Sequence, residues 1–72
     1  MPKEANACFD EIVALVGKED ANAIETAIRK MDEYLVRVEP SQVSTKRRDL
    51  VARLKREGPN TPLMEQVIAA LM

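Results

Sequence analysis

The residues that could do chemistry in this chain are few, and their spacing does not bring them together. Cys8 is the only cysteine, and histidine is absent, so the usual general base near neutral pH is missing. Cys8 falls on the apolar side of the first predicted helix with Phe9 and Ile12, where a thiol behaves as a small hydrophobic side chain. A reactive thiolate needs an electropositive, partly exposed setting. We therefore expect Cys8 to fill the core.

Carboxylates occur as three adjacent pairs, a pattern that invites a metal or acid–base interpretation. Neighbouring positions on a helix point about 100° apart, so two adjacent carboxylates do not converge on one ion or substrate. Solvated helix faces and a helix cap explain them better. The sequence predicts no catalytic residue, no cofactor, no metal site and no small-molecule substrate. The three pairs are Asp10–Glu11, Glu19–Asp20 and Asp32–Glu33.

A basic cluster between residues 46 and 56 supports an alternative function. It holds six of the eleven basic residues, and cations along a helix can lie against a phosphate backbone. Projected at 100° per residue, the charges surround the polar half of the helix, and the next helix offers only Gln66 to read base edges. The alternative is a small dimeric DNA-binding transcriptional regulator. It would use Lys46, Arg48, Arg53, Lys55 and Arg56.

The elements that must position these residues are four helices, because apolar residues recur at spacings of three and four. The second helix is expected to be the longest, since a heptad seam runs unbroken from Ala21 to Val38. The fold class is all-α, a small antiparallel bundle of about four helices, two longer and two shorter. We predict helices over residues 3–16, 20–38, 42–57 and 61–72, in a single domain covering 1–72.

Helix ends are predicted from the residues that stop or cap a helix. Gly17 is expected to end the first helix in the left-handed conformation, and Pro40 to end the second. Asp20 is the expected cap of the second helix. Either Ser41 or Ser44 is expected to cap the third. The fourth is expected to begin with a threonine cap and a proline at the first helical position, Thr61 and Pro62.

Size and composition favour association. The chain has 72 residues, of which 46% are hydrophobic and 32% charged, as in a folded protein. A domain this short buries a small fraction of its surface, and one cysteine without histidine excludes an intrachain disulfide and a four-ligand zinc site. We expect a homodimer or a partner chain to cover apolar faces that four short helices cannot hide alone.

The predicted function is a non-enzymatic protein–protein interaction module, such as a small adaptor, co-chaperone, inhibitor or regulatory subunit. It would bury an aliphatic helical face against itself or a partner protein, with a charged rim. Arg47 projects into the apolar arc of its helix, so its side chain either extends to solvent or reaches an acid on a neighbouring helix or a partner. The predicted interface residues are Phe9, Ile28, Met31, Leu35, Arg47, Met64, Ile68 and Leu71.

Charge is uneven along the chain, although the net charge is only −1. Residues 1–39 carry nine acids and five bases, and residues 40–72 carry three acids and six bases, which gives −4 and +3. Such a chain can pair head to tail or with a charged partner. The longest apolar run is six residues, Val67–Met72, against roughly twenty for a membrane span, and no signal peptide is visible. With a lone thiol, this predicts a cytoplasmic protein without membrane contact.

Overall fold

A computed structural model of the protein describes the backbone of residues 2–72 and the side chains of residues 4–72. The predicted all-α bundle is confirmed, and no strand occurs between residues 2 and 72. A short 3₁₀ turn, Pro40–Gln42, leads into the third helix. The four helices are α1 Pro2–Gly17, α2 Ala23–Leu35, α3 Val43–Glu57 and α4 Pro62–Leu71.

Helices α1 and α2 form an antiparallel hairpin. Lys30 Nζ lies 3.1 Å from a carboxylate oxygen of Glu11, and a guanidinium nitrogen of Arg37 lies 3.3 Å from Glu4. The pairing of Arg37, two residues beyond the end of α2, with Glu4 near the start of α1 fixes the antiparallel direction. These side chains are at the surface, so the ion pairs set the register more than the stability.

Helices α3 and α4 form a second antiparallel hairpin. Its turn begins at Gly58, where a Cβ atom would lie only 2.6 Å from the carbonyl oxygen of Leu54. The predicted start of α4 is confirmed: the Thr61 Oγ1 accepts the backbone N–H of Met64 at 3.2 Å, with Pro62 at the first helical position. At Gly58, the close approach of the turn to the end of α3 leaves no room for a side chain.

The end of α1 differs from the prediction. Gly17 lies within the helix, and the left-handed residue is Glu19, with φ 53°. The Glu19 N–H donates to the carbonyl of Val16 and the Asp20 N–H to that of Leu15, the bond pair of a Schellman motif. The motif therefore closes two residues later than expected, and a glutamate occupies the position that glycine favours.

Helix α2 starts later than predicted. The Asp20 carboxylate accepts the backbone N–H of Asn22 at 2.7 Å and so closes a local turn instead of capping a helix over 20–38. The helix begins at Ala23, behind an Asn22 side chain that makes no capping bond. With 13 residues, α2 is shorter than α1 and α3, which have 16 and 15, so the expected long second helix is wrong.

Helix α2 also ends early, at Leu35. The N–H groups of Arg37 and Val38 donate to the carbonyls of Tyr34 and Leu35, three residues back, and these tighter bonds end the α-helical turn. The chain then becomes extended before Pro40, as that proline requires. Neither predicted serine caps α3, since Gln42 occupies the N-cap position and its side chain makes no capping bond.

The core is completed within one chain. The expectation that the helices cannot hide their apolar faces alone is wrong, because α4 packs against α2 and α3 and completes a core shared by all four helices. In the described residues the only large hydrophobic side chains that remain exposed are Ile28 (39%), Val36 (79%) and Met72 (74%). The buried cluster draws on all four helices and contains Cys8, Phe9, Ile12, Val16, Ala27, Met31, Leu35, Leu50, Val51, Leu54, Met64, Val67, Ile68 and Leu71.

Candidate functional site

Most of the predicted interface residues lie in the core. Six of the eight side chains are buried within the chain and pack the bundle, so the aliphatic face they were expected to present is not on the surface. Only Ile28 and Arg47 of the set reach solvent, the first exposed and the second half-buried. The six buried residues are Phe9, Met31, Leu35, Met64, Ile68 and Leu71.

Arg47 contacts neither solvent alone nor an acidic side chain, the two alternatives that the sequence offered, but a backbone carbonyl. Its guanidinium donates to the backbone carbonyl oxygen of Leu71 at 3.3 Å. The last carbonyls of a helix lack intrahelical partners and carry partial negative charge, so a cation there is favourable. Arg47 thereby ties the last turn of α4, and the adjoining Met72, to α3.

The apolar surface that remains exposed near Met72 forms a groove between α3 and α4. Two hollows of about 250 and about 410 Å³ adjoin at the Met72 side chain. The buried side chains of Met64 and Ile68 reach the first hollow, and that of Val51 reaches the second. We call this surface the α3–α4 groove. Its lining residues are Ser44, Arg47, Arg48, Val51, Leu54, Lys55, Pro59, Asn60, Thr61, Met64, Glu65, Ile68, Ala69 and Met72.

The rim of the α3–α4 groove is charged. Arg48 and Lys55 are exposed on its α3 side, seven residues apart, which is about 10.5 Å along a helix. Among the side chains of residues 4–72, neither makes an ion pair. Glu65 lies on the α4 side. The groove thus offers an apolar floor between two free cations and one carboxylate.

The structure does not gather the predicted nucleic-acid residues on one surface. Arg53 turns toward α1: its guanidinium carbon lies 3.9 Å from the centre of the Phe9 ring, and it donates to Asn6 Oδ1 at 2.7 Å. Its Nε also lies 3.4 Å from Glu57, which a second guanidinium, that of Arg56, approaches to 3.3 Å. Two of the five cations are therefore engaged by other side chains.

Lys46 lines a different cleft, of about 490 Å³, between α1, α2 and the start of α3. The charged residues of this cleft are balanced: Glu4 and Glu39 stand against Arg37 and Lys46. Tyr34 also lines it, and desolvation raises the pKa of this phenol above its ordinary value. With equal numbers of acids and bases, the cleft favours neither an anion nor a cation.

Cys8 is a core side chain, as its position on the apolar stripe predicts. Its Sγ lies 3.6 Å from the carbonyl oxygen of Lys30. Burial, and then the nearby Glu11 carboxylate, raise the pKa of the thiol to about 11. At neutral pH it is a protonated thiol. No group of three or more potential metal-ligating side chains occurs in the part of the chain that the structure describes.

Sequence reasoning missed one exposed apolar residue, Val36. It occupies the C-cap of α2 with helical backbone angles, four residues beyond Asp32 and eight beyond Ile28. Val36 lies off the heptad seam, on the helix face that the charged residues occupy. A single apolar residue on that face was the sequence feature that could have identified it as exposed. We call Glu25, Ile28, Arg29, Asp32 and Val36 the α2 outer stripe.

The fold and the groove define a small four-helix chain with a basic-rimmed apolar surface. Comparison with protein families, with curated proteins and with solved structures finds no match to this chain. None of the described helices has the length and apolar character needed to cross a membrane. The geometry of the surface is therefore the basis for a functional proposal.

Proposed function

We propose that this chain is a non-enzymatic protein–protein interaction module whose α3–α4 groove binds an acidic amphipathic segment of another protein. One observation carries the proposal: the exposed Met72 lies in a groove with an apolar floor, beside the unpaired cations Arg48 and Lys55. Apolar anchors within a charged rim are typical of protein interfaces. We place the module in the cytoplasm, where a lone thiol stays reduced.

The spacing of the two rim cations suits a helical ligand. An amphipathic helix binds by laying its apolar face into a groove between two helices. Carboxylates seven residues apart on such a ligand are separated by about 10.5 Å, the same as the axial spacing of Arg48 and Lys55. Rim charges of this kind chiefly accelerate encounter and select the partner, while the apolar anchor supplies affinity.

The contacts of the basic cluster favour a protein ligand over DNA. Arg53 and Arg56 already bind other side chains, and Lys46 lies in the separate cleft on the α1 side. Each of the two remaining cations lines a hollow together with Met72, and Glu65 lines the hollow that holds Lys55. A phosphate backbone laid there would meet an apolar side chain and a carboxylate.

A labelled peptide of about 18 residues, long enough for five helical turns, tests the proposal. It carries a leucine stripe flanked by glutamates seven residues apart, and its binding is followed by fluorescence anisotropy. We expect Arg48→Glu with Lys55→Glu to weaken binding about tenfold or more, since close charge pairs become repulsive. Met72→Ser should also weaken it. Circular dichroism confirms that each variant folds.

The matched control is Lys18→Glu with Lys46→Glu, which makes the same change in net charge outside the groove and should leave peptide binding nearly unchanged. A version of the peptide with lysine in place of glutamate should not bind. Equal binding by both peptides, or by both double variants, would contradict the proposal. Duplex DNA is the other ligand to measure: binding that falls steeply between about 50 and about 200 mM salt would favour the nucleic-acid alternative.

A further inference from the structure

We infer that the α3–α4 groove also binds a second copy of this chain, through the α2 outer stripe. This inference rests on the proposed function of the groove, and it names one acidic amphipathic segment that the groove takes. The stripe is itself the exposed face of a helix, with Ile28, Asp32 and Val36 at successive steps of four residues. It therefore has the form of the ligand that the groove fits.

Among residues 4–72, the large hydrophobic side chains that are exposed occur only on these two surfaces. Ile28 and Val36 lie on the α2 outer stripe, and Met72 lies in the groove. Docking the stripe of one copy into the groove of the next would cover all three. Contiguous apolar patches rimmed by polar residues commonly mark an interaction surface, and docking would join these three side chains in one contact.

The charges of the two surfaces match in sign and spacing. Glu25 and Asp32 on the stripe are seven residues apart, as are Arg48 and Lys55 on the groove rim, so each pair spans about 10.5 Å. All four side chains are exposed, and none makes an ion pair with another described side chain. Two acid–base contacts can form at once.

The remaining charged residue of each surface, Arg29 on the stripe and Glu65 on the groove rim, is also opposite in sign to the other. Arg29 lies between the two stripe acids in sequence, and Glu65 lies on the α4 side of the groove. The one cation of the stripe therefore has a carboxylate to meet. This alternation of sign disfavours stripe against stripe and groove against groove, because identical surfaces would face like charges.

Stripe and groove are different surfaces, so the contact is heterologous and each added copy leaves one free stripe and one free groove. A standard interface buries about 800 Å² per partner, roughly a sixth of the 4865 Å² that this chain exposes. A single helix face in a groove buries less. We therefore expect weak, concentration-dependent association, with dissociation constants on the order of 10–1000 μM.

Sedimentation velocity over a concentration series measures this association. The series extends to about 1 mM, so that it reaches the expected range of dissociation constants. The wild-type average mass should rise with concentration. Arg48→Glu with Lys55→Glu changes the groove, and Glu25→Lys with Asp32→Lys changes the stripe. Each double variant should stay monomeric alone. Their equimolar mixture should associate again, because every junction then joins opposite charges.

The matched control, Asp10→Lys with Glu19→Lys, reverses two other exposed acids and should associate like the wild type. Self-association by the stripe variant alone, a mixture that stays monomeric although both variants are folded, or a monomeric wild type would each overturn the inference. The acidic peptide separates the two proposals. If it binds a wild-type chain that never self-associates, the groove function stands and this inference fails. If the peptide does not bind and the wild-type chain stays monomeric, both fail.

Discussion

Arg53 supplies most of the polar contact between α1 and α3. Its guanidinium covers the Phe9 ring, donates to Asn6 and lies near Glu57. The sequence places Arg53 in a basic cluster and so suggests a surface cation for a ligand. The aromatic partner could not be foreseen, because residues 44 positions apart in sequence meet only once the helices have packed.

A double-mutant cycle measures this contact. We expect Arg53→Met and Phe9→Leu each to lower the free energy of unfolding, and the pair to show a coupling of about 0.5–1 kcal/mol, as for a partly exposed cation–aromatic contact. Urea unfolding gives the values. Arg56→Met is the matched control, since its guanidinium has only a surface ion pair. Additive losses in the Arg53 cycle would contradict the assignment.

The Cys8 thiol gives a prediction about pH. Its pKa rises from 9.0 to about 11 in the folded chain, so the folded state holds this proton more tightly than the unfolded state. The contribution to stability is complete below pH 9 and is lost as the pH rises from 9 to 11, by at most about 1.4 kcal/mol per pH unit.

Two measurements check the Cys8 prediction. Unfolding free energies between pH 8 and pH 11 should fall more steeply for the wild type than for Cys8→Ala, which keeps the other titrating groups. Alkylation at pH 8 should be slow, because only about a thousandth of the thiol is ionised at a pKa near 11. Alkylation as fast as that of an unfolded chain would show that Cys8 is not buried.

The helices themselves were largely predictable, because their stop and cap residues act locally. Thr61 and Pro62 start α4 as expected. The ends of α2 were not predictable from the heptad seam. At the start, the Asp20 carboxylate accepts the N–H of Asn22 and closes a turn, and at the end the Val38 N–H donates to the carbonyl of Leu35, three residues back. The candidate site was predicted least well, because a stripe of apolar residues does not reveal which neighbour covers it.

Two substitutions at the end of α1 should each stabilise the chain. Glu19 is left-handed, which costs an ordinary residue roughly 1–2 kcal/mol, so Glu19→Gly should raise the free energy of unfolding by a few tenths to about 1 kcal/mol. Gly17 is helical with open space beyond its Cα, and Gly17→Ala should stabilise by about 0.5–1 kcal/mol.

Gly58 should behave in the opposite way. An added Cβ would meet the Leu54 carbonyl at 2.6 Å and the Met64 Cε at 2.9 Å. Gly58→Ala should therefore destabilise the chain, by about 1–3 kcal/mol if the turn must shift. Thermal unfolding of the Gly17 and Gly58 variants side by side is the test. A stabilised Gly58→Ala would contradict the described approach of the turn to α3.

The whole molecule is as compact as a self-sufficient domain. Its radius of gyration is 11.2 Å, and a folded chain of this length is expected to have about 11 Å. Composition suggested that a partner must complete the core, but composition does not show how four stripes converge. Because α4 packs against α2 and α3 and completes the core, association is left to two small charged surfaces, the α3–α4 groove and the α2 outer stripe.

Folding and association should therefore be separable. If the core is complete in one chain, the midpoint of thermal unfolding is independent of protein concentration at about 1–10 μM, whereas an obligate dimer loses stability on dilution. Leu54→Ala, at a fully buried position, should lower the free energy of unfolding by about 2–5 kcal/mol.

Arg48→Glu with Lys55→Glu should change the free energy of unfolding little. Only the acid added at position 55, in the last turn of α3, is unfavourable, by about 0.3–1 kcal/mol. A midpoint that falls with dilution, or a groove variant that unfolds like the Leu54 variant, would show that the groove is part of the folding core and not a free surface.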